Sequence, residues 1–139
     1  PRMYIPIFGN GDVDSPEKAE KMRNSFGLDG AMIGRASIGN PWFFKAVKHF
    51  LKTGNHIAPI SIKKRVETAR RHLEMAIAWK GETLGVLETR RHYSNYFKGI
   101  PNFKAHRTAM VTANHSEDVF AVFKKLENLE EIHATGATF

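Results

Sequence analysis

The sequence predicts an α/β segment, the closing βα units of a TIM barrel, followed by an all-α helical bundle. Three observations carry that expectation. Two glycine turns, Gly9-Asn10-Gly11-Asp12 and Ile33-Gly34-Arg35-Ala36, each follow a short apolar run, with room between them for one helix and one strand. The second turn leads into Asn40-Pro41-Trp42-Phe43-Phe44, a further helix start, and an extra helix beside the loops after strands 7 and 8 is a barrel feature. From Ile62 onward, apolar residues recur at helical spacing with short connections, as in a bundle. At 139 residues the chain holds one domain's worth of protein and is shorter than the roughly 250 residues of a whole barrel.

Each element has a local cause. Tyr4-Ile5-Pro6-Ile7-Phe8 reads as a buried parallel strand ending in the first glycine turn. Asp14-Ser15-Pro16-Glu17 supplies a cap, a proline at the first helical position and an acid in the first turn. That helix should run to about Phe26, where Gly27 stops it. Ala31-Met32-Ile33 is the second strand, completing a βαβ unit. Asn40-Pro41 opens a helix ending near Thr53-Gly54, and residues 55–60 read as a linker between a segment at 1–54 and a helical domain at 61–139.

In the second segment Ser61 caps a helix whose apolar stripe is Val66, Ala69, Leu73, Ala76 and Ile77, closed by Gly81. A second helix covers about Thr83 to Phe97, closed by Lys98-Gly99-Ile100-Pro101, and a third covers about Phe103 to Ala113. Ser116 caps a fourth, with Val119, Val122, Phe123 and Leu126 on its apolar face. From His133 no periodicity remains, and a frayed tail is expected.

Charge is unevenly spread. The chain carries +7, and residues 61–115 hold eleven Lys and Arg against four Asp and Glu. Residues 116–139 reverse the sign, with two against five. A basic middle segment predicts a surface facing a polyanion, against the alternative of an ordinary solvated helix surface. With no cysteine, the chain offers no disulfide, thiolate metal site or cysteine nucleophile. Seven histidines occur without HExxH or convincing ligand spacing, so no metal is expected, and Glu130-Glu131 reads as solvated charge. No apolar run approaches the ~20 residues of a membrane span, so no membrane partner is expected. The opening Pro1-Arg2-Met3 reads as an internal start.

Two constellations carry chemistry. Backbone amides at the ends of adjacent parallel strands can converge on one phosphate, with glycine letting the ligand approach. The candidates are Asn10, Gly11, Asp12, Gly34 and Arg35, against the alternatives of a turn acceptor for Asp12 and a surface ion pair for Arg35. The second is Arg90-Arg91-His92-Tyr93-Ser94-Asn95-Tyr96-Phe97-Lys98, followed by Lys104 and Arg107. Arg91 and Lys98 are two turns apart on one expected helix face, Lys104 and Arg107 share another, and Lys63, Lys64, Arg70 and Arg71 extend the patch. Such a surface suits the backbone of a structured RNA. Tyr93, Tyr96, Phe97 and Trp79 are candidates for base stacking, with core packing as the commoner use of aromatics at this spacing.

The run Ile7-Phe8-Gly9-Asn10-Gly11-Asp12, then Asp29-Gly30-Ala31-Met32-Ile33-Gly34-Arg35-Ala36 and Gly39-Asn40-Pro41-Trp42-Phe43-Phe44, closely resembles the tRNA-dihydrouridine synthases, the bacterial B-type subgroup in particular. Arg90-Arg91-His92, Tyr96-Phe97-Lys98-Gly99-Ile100-Pro101 and Arg107 resemble that family's helical-domain signature, in the same order. The resemblance implies a cytoplasmic flavin-dependent oxidoreductase: an FMN-binding TIM barrel followed by a helical tRNA-binding domain. Asn10, Gly11, Asp12, Gly34 and Arg35 would then contact the flavin phosphate, and Arg90, Arg91, Lys98, Lys104 and Arg107 the tRNA. It implies that reduced FMN gives a hydride to uracil, that a cysteine supplies the proton, and that NADPH re-reduces the flavin. That cysteine would lie outside this chain, which on this reading is a C-terminal portion, inactive alone. Two other readings stand beside it. One is a standalone basic helical module binding RNA or protein without a redox role. The other is a different FMN barrel, such as a dihydroorotate-dehydrogenase relative, which shares the phosphate turns and leaves the basic bundle unexplained.

Overall fold

The computed structural model describes residues 4–135, with side chains to residue 128. It is mostly helical, with one small parallel sheet, and divides into two compact units, Pro1–Ala58 and Pro59–Phe139.

The first unit contains β1 (Phe8–Asn10), α1 (Pro16–Phe26), β2 (Gly30–Met32) and α2 (Phe43–Thr53). β1 and β2 pair in parallel, with Phe8 opposite Gly30 and Asn10 opposite Met32. The first strand sits later than its apolar run suggests. Pro6 has no N–H to donate, and the Ile7 N–H goes to the Asp29 carboxylate at 2.8 Å, which also accepts from the Tyr4 hydroxyl. Pairing therefore begins at Phe8, and Asn10, expected in the turn, is the last strand residue.

Ser15 caps α1, its hydroxyl oxygen accepting the Lys18 N–H at 3.2 Å, and Gly27 ends the helix in the left-handed conformation. α2 starts later than the Asn40-Pro41 signal, because a turn comes first: the Phe43 N–H donates to the Asn40 carbonyl at 3.1 Å. Val13, Ala19, Phe43 and Val47 form the core, with Met22, Ala31, Ile33, Ala36 and Leu51 packed on it. Residues 55–58 stay with this unit, where His56 lies 2.8 Å from the Glu17 carboxylate.

The second unit contains α3 (Ile62–Lys80), α4 (Glu82–Tyr96), α5 (Lys104–Thr112) and α6 (Ser116–Thr135). α3 packs on α4 and α6, and α5 packs on the same two helices. The stripes at Val66, Ala69 and Leu73 and at Val119, Val122, Phe123 and Leu126 are buried as their spacing dictates. Tyr93 and Phe97 contact Phe123 with ring centroids 5.8 and 6.0 Å apart. α6 continues through Thr135, past the expected fraying point at His133; residues 136–139 and the side chains of Glu130 and Glu131 lie outside what is described. Ser116 is not the free-standing cap its position suggests, since its N–H and its hydroxyl both donate to Glu82 Oε1, at 3.0 and 2.9 Å. A carboxylate from the start of α4 thus sits at the N-terminus of α6, where the helix dipole favours it. Among the described residues no helix is long and apolar enough to cross a membrane.

Candidate functional site

β1 and β2 end side by side, so the segments that follow them leave from one edge of the sheet. Asn10, Asp12, Gly34 and Arg35 line an open cleft of about 610 Å³ at that edge. Gly11 is on the same turn but does not line the cleft; a Cβ there would come 3.1 Å from the Met22 methyl. At Gly34 a Cβ would meet nothing within 4 Å, so the backbone is open to close approach. Asp12 has φ of 43°, a left-handed conformation that Asp tolerates better than most side chains.

The two turns are joined by an ion pair. Arg35 Nη2 donates to Asp12 Oδ1, and both side chains are largely exposed. The carboxylate raises the Arg35 pKa above its ordinary value, through the hydrogen bond first and Coulomb attraction second. Beside it the Asp14 carboxylate pairs with Lys18 at 2.8 Å, and that hydrogen bond lowers its pKa. The acids at this edge are therefore each matched by a cation. After Gly34 the chain makes a single 3₁₀ turn, Arg35–Ser37, whose Ser37 N–H and hydroxyl both donate to the Gly34 carbonyl, at 3.1 and 2.8 Å. These two bonds fix the peptide geometry of the turn after β2.

The basic residues of the second unit divide by what they touch. Arg91, Lys98, Lys104 and Arg107 are exposed. Lys104 and Arg107 share a face of α5 at i,i+3. Arg91 and Lys98 do not share a helix face, because α4 ends at Tyr96 and Lys98 sits in the following turn, where Gly99 takes φ of 85°. Arg90 is half-buried, its guanidinium donating to the Ala113 carbonyl and to Asn114 Oδ1 at 2.9 Å. It fastens α4 to the connection between α5 and α6. Arg70 lies 3.4 Å from Glu127 and over the rings of Phe120 and Phe123, and Lys64 pairs with Glu67 at 2.8 Å.

The aromatic candidates separate just as sharply. Tyr93, Tyr96 and Phe97 are core residues, 1%, 6% and 0% exposed, so they present no face to a base. Trp79 is 81% exposed. It borders a groove of about 330 Å³ between α3 and α4, together with Met75, Ala76, His72, His92 and Arg91. The rings of His72 and His92 lie 4.9 Å apart, and His72 Nδ1 is 3.2 Å from the Tyr96 hydroxyl. Burial is the first cause that lowers the pKa of both imidazoles, followed by Arg91 for His72, and by His72 and then Arg91 for His92, which disfavours their charged forms. Arg91 Nε donates to His92 Nε2 at 3.3 Å, which places the neutral ring's proton on Nδ1, a buried atom with no hydrogen-bond partner.

Arg65 is a positioning residue that sequence reasoning passes over. It donates to the carbonyls of Ile60 at 3.1 Å and Lys98 at 2.9 Å, tying the start of α3 to the turn that presents Lys98. Within the run Lys63-Lys64-Arg65 only its place beside buried Val66 sets it apart. Among the described residues no group of three His, Asp or Glu side chains is arranged to hold a metal ion.

Comparison with known proteins places the chain among relatives of one family. The family model for dihydrouridine synthase (Dus) matches residues 1–136. The tRNA-dihydrouridine synthase B of Pseudomonas aeruginosa is 38% identical over 103 residues, covering 74% of this chain and 31% of that protein. That of Xanthomonas campestris is 38% identical over 120 residues, covering 86% and 36%. A probable tRNA-dihydrouridine synthase of Rickettsia conorii is 34% identical over 122 residues, covering 88% and 36%. The chain spans about a third of the length of these relatives. It belongs to the dihydrouridine synthase family.

Proposed function

We propose that this chain serves as part of an FMN-dependent, cytoplasmic tRNA-dihydrouridine synthase that reduces uridine to dihydrouridine in tRNA. Residues 1–54 would be the last βα units of the barrel, and residues 61–139 the tRNA-docking helical domain. The observation that carries the reading is the joined pair of turns at the sheet edge, in a chain whose residues 61–115 are strongly basic.

The residues at the edge fit a phosphate. Gly34 leaves its backbone uncovered, and the Asp12 carboxylate, which would repel a dianion, is already neutralised by Arg35. Asn10, Gly11, Asp12, Gly34 and Arg35 would hold the flavin phosphate, the backbone amides of Asp12 and Arg35 donating and the Asn10 side chain assisting. Bound FMN supplies hydride chemistry to the uracil ring, NADPH being the reductant. This chain's own part is to orient the cofactor and to dock the RNA; with no cysteine it offers no thiol acid. Because one corner encloses little of a flavin, the chain alone should bind FMN no tighter than micromolar and show no turnover.

For the RNA, Arg91, Lys98, Lys104 and Arg107 would contact phosphates, while Arg90 shapes the surface that carries them. The test is binding of unfractionated tRNA to the chain across a salt series. Replacing Arg91, Lys98 and Arg107 together by Ala should weaken binding and flatten the salt dependence by about 0.7 to 0.9 for each phosphate no longer neutralised. Unchanged affinity and slope in the triple variant would refute the docking role.

A further inference from the structure

We propose that the groove between α3 and α4 is a single-nucleotide subsite, in which one unstacked base of the bound RNA lies on the exposed face of Trp79 with its phosphate at Arg91. The inference rests on the RNA-docking reading above and adds a second kind of contact to it.

Trp79 is the most exposed large apolar side chain among the described residues. An indole so placed carries a solvation cost that only a covering partner removes. Lys80 Nζ stands 4.6 Å from the indole centroid and pairs with Glu88. A cation thus already rests on part of Trp79 at the groove, and the indole as a whole stays 81% exposed and available to a planar ligand.

The groove selects the ligand class. Its volume, about 330 Å³, is at the small end of ligand pockets, the scale of one base with its sugar and not of a helix. Its lining includes Met75, Ala76 and the imidazoles of His72 and His92, which accept a flat ring, while its one carboxylate, Glu88, is matched by Lys80. At the rim, Arg91 donates through Nε to His92, which holds the guanidinium in place while it remains exposed to an anion. Flat apolar surface with a cation at one end matches a nucleotide. A peptide with an aromatic side chain would also fill the volume, but the surrounding segment carries eleven cations against four carboxylates, which favours a polyanion.

The subsite makes two energetically distinct contacts, and salt separates them. Stacking on Trp79 releases no counterions, whereas the Arg91 contact does. The experiment measures the Kd of unfractionated tRNA, at several salt concentrations, for the wild-type chain, Trp79→Ala, Trp79→Phe and Arg91→Ala. Because Trp79 is mostly exposed, its replacement leaves the core intact, which circular dichroism verifies. Trp79→Ala should weaken binding roughly 5- to 100-fold with the salt slope unchanged. Trp79→Phe should restore most of that affinity, and Arg91→Ala should lower the slope by about 0.7 to 0.9. Wild-type affinity in Trp79→Ala, with salt-dependent binding otherwise normal, overturns the subsite and leaves the docking reading standing. Absence of salt-dependent binding by the wild-type chain overturns the docking reading and the subsite with it. A wild-type dimer in sedimentation velocity that Trp79→Ala dissociates, with tRNA affinity unchanged, assigns the groove to a second copy and overturns the proposal.

Discussion

Gly85 gives the sharpest test of how the second unit is held together. It lies in the first turns of α4, where α4 doubles back beside the end of α3 after the single-residue connection at Gly81. A Cβ placed on Gly85 would stand 2.7 Å from the Ile77 nitrogen, 2.8 Å from its Cα and 2.9 Å from its Cγ1. Two of those neighbours are backbone, so no rotamer change removes the clash. Ordinary contact begins at 3.4 Å, and the two helices would have to separate by about 0.7 Å. Overpacking of this kind costs about 1–3 kcal/mol, while exchanging Gly for Ala within a helix gains about 1 kcal/mol in propensity. The two effects oppose each other, and the backbone clash should win by about 1 kcal/mol. For a unit of this size, that lowers Tm by roughly 4–8 °C. Thermal unfolding of Gly85→Ala followed by circular dichroism measures it directly. A raised or unchanged Tm would show that the α3–α4 contact yields at no cost, and the account of that contact would be wrong. The groove beside Trp79 is built by the same two helices, so the variant should also weaken tRNA binding.

Three further outcomes follow from single contacts. Asp12→Asn should leave the turn intact, whereas Asp12→Ala should loosen it by about 1 kcal/mol, because Asn tolerates the left-handed conformation and Ala does not; hydrogen exchange of the β1 and β2 amides reads the difference. His72 and His92 have folded-state pKa values below the ordinary 6.5, so the unfolded chain binds more protons. Their stabilising contribution is therefore complete above pH 6.5 and is lost as the pH falls below it; a Tm–pH profile should decline on acidification, and the double variant His72→Gln/His92→Gln should flatten it. Glu82 titrates in a more acidic window: its carboxylate pKa is lowered by the N–H and hydroxyl of Ser116, so its contribution is present above 4.5 and lost as pH drops through the folded value. Glu82→Gln should lower Tm near neutral pH, and the difference from wild type should vanish in acid.

The helices were legible because their signals are local. Ser15 and Ser61 cap where their position predicts, Gly27 and Gly81 terminate, and the apolar stripes of α3 and α6 are buried. What composition and spacing conceal is competition from elsewhere in the chain. Asp29 takes the Ile7 N–H from 22 residues away, and this shifts the first strand. Glu82 reaches Ser116 from 34 residues away and becomes the partner of a residue that resembles a self-sufficient cap. The glycine turns were visible as turns, but the ion pair that joins them depends on the parallel register, which no local pattern encodes. The aromatics at Tyr93, Tyr96 and Phe97 have the same helical spacing whether they face core or solvent; Trp79 differs from them only in which side of its helix it occupies.

Arg90 and Arg91 bring these points together. Adjacent residues on a helix point about 100° apart, so two identical side chains in sequence are sent to different environments. Arg90 turns inward, where a guanidinium is tolerable only if its donors are matched, and Ala113 and Asn114 match them. Arg91 turns outward to the rim of the Trp79 groove and commits one donor to His92. Removing Arg90 would leave the Ala113 carbonyl without this donor and slacken the connection that orients α5, which carries Lys104 and Arg107. Its effect on RNA binding would then pass through geometry, whereas that of Arg91 would pass through charge. A basic run in a sequence counts cations; the fold decides which of them are available to a phosphate and which hold the available ones in place.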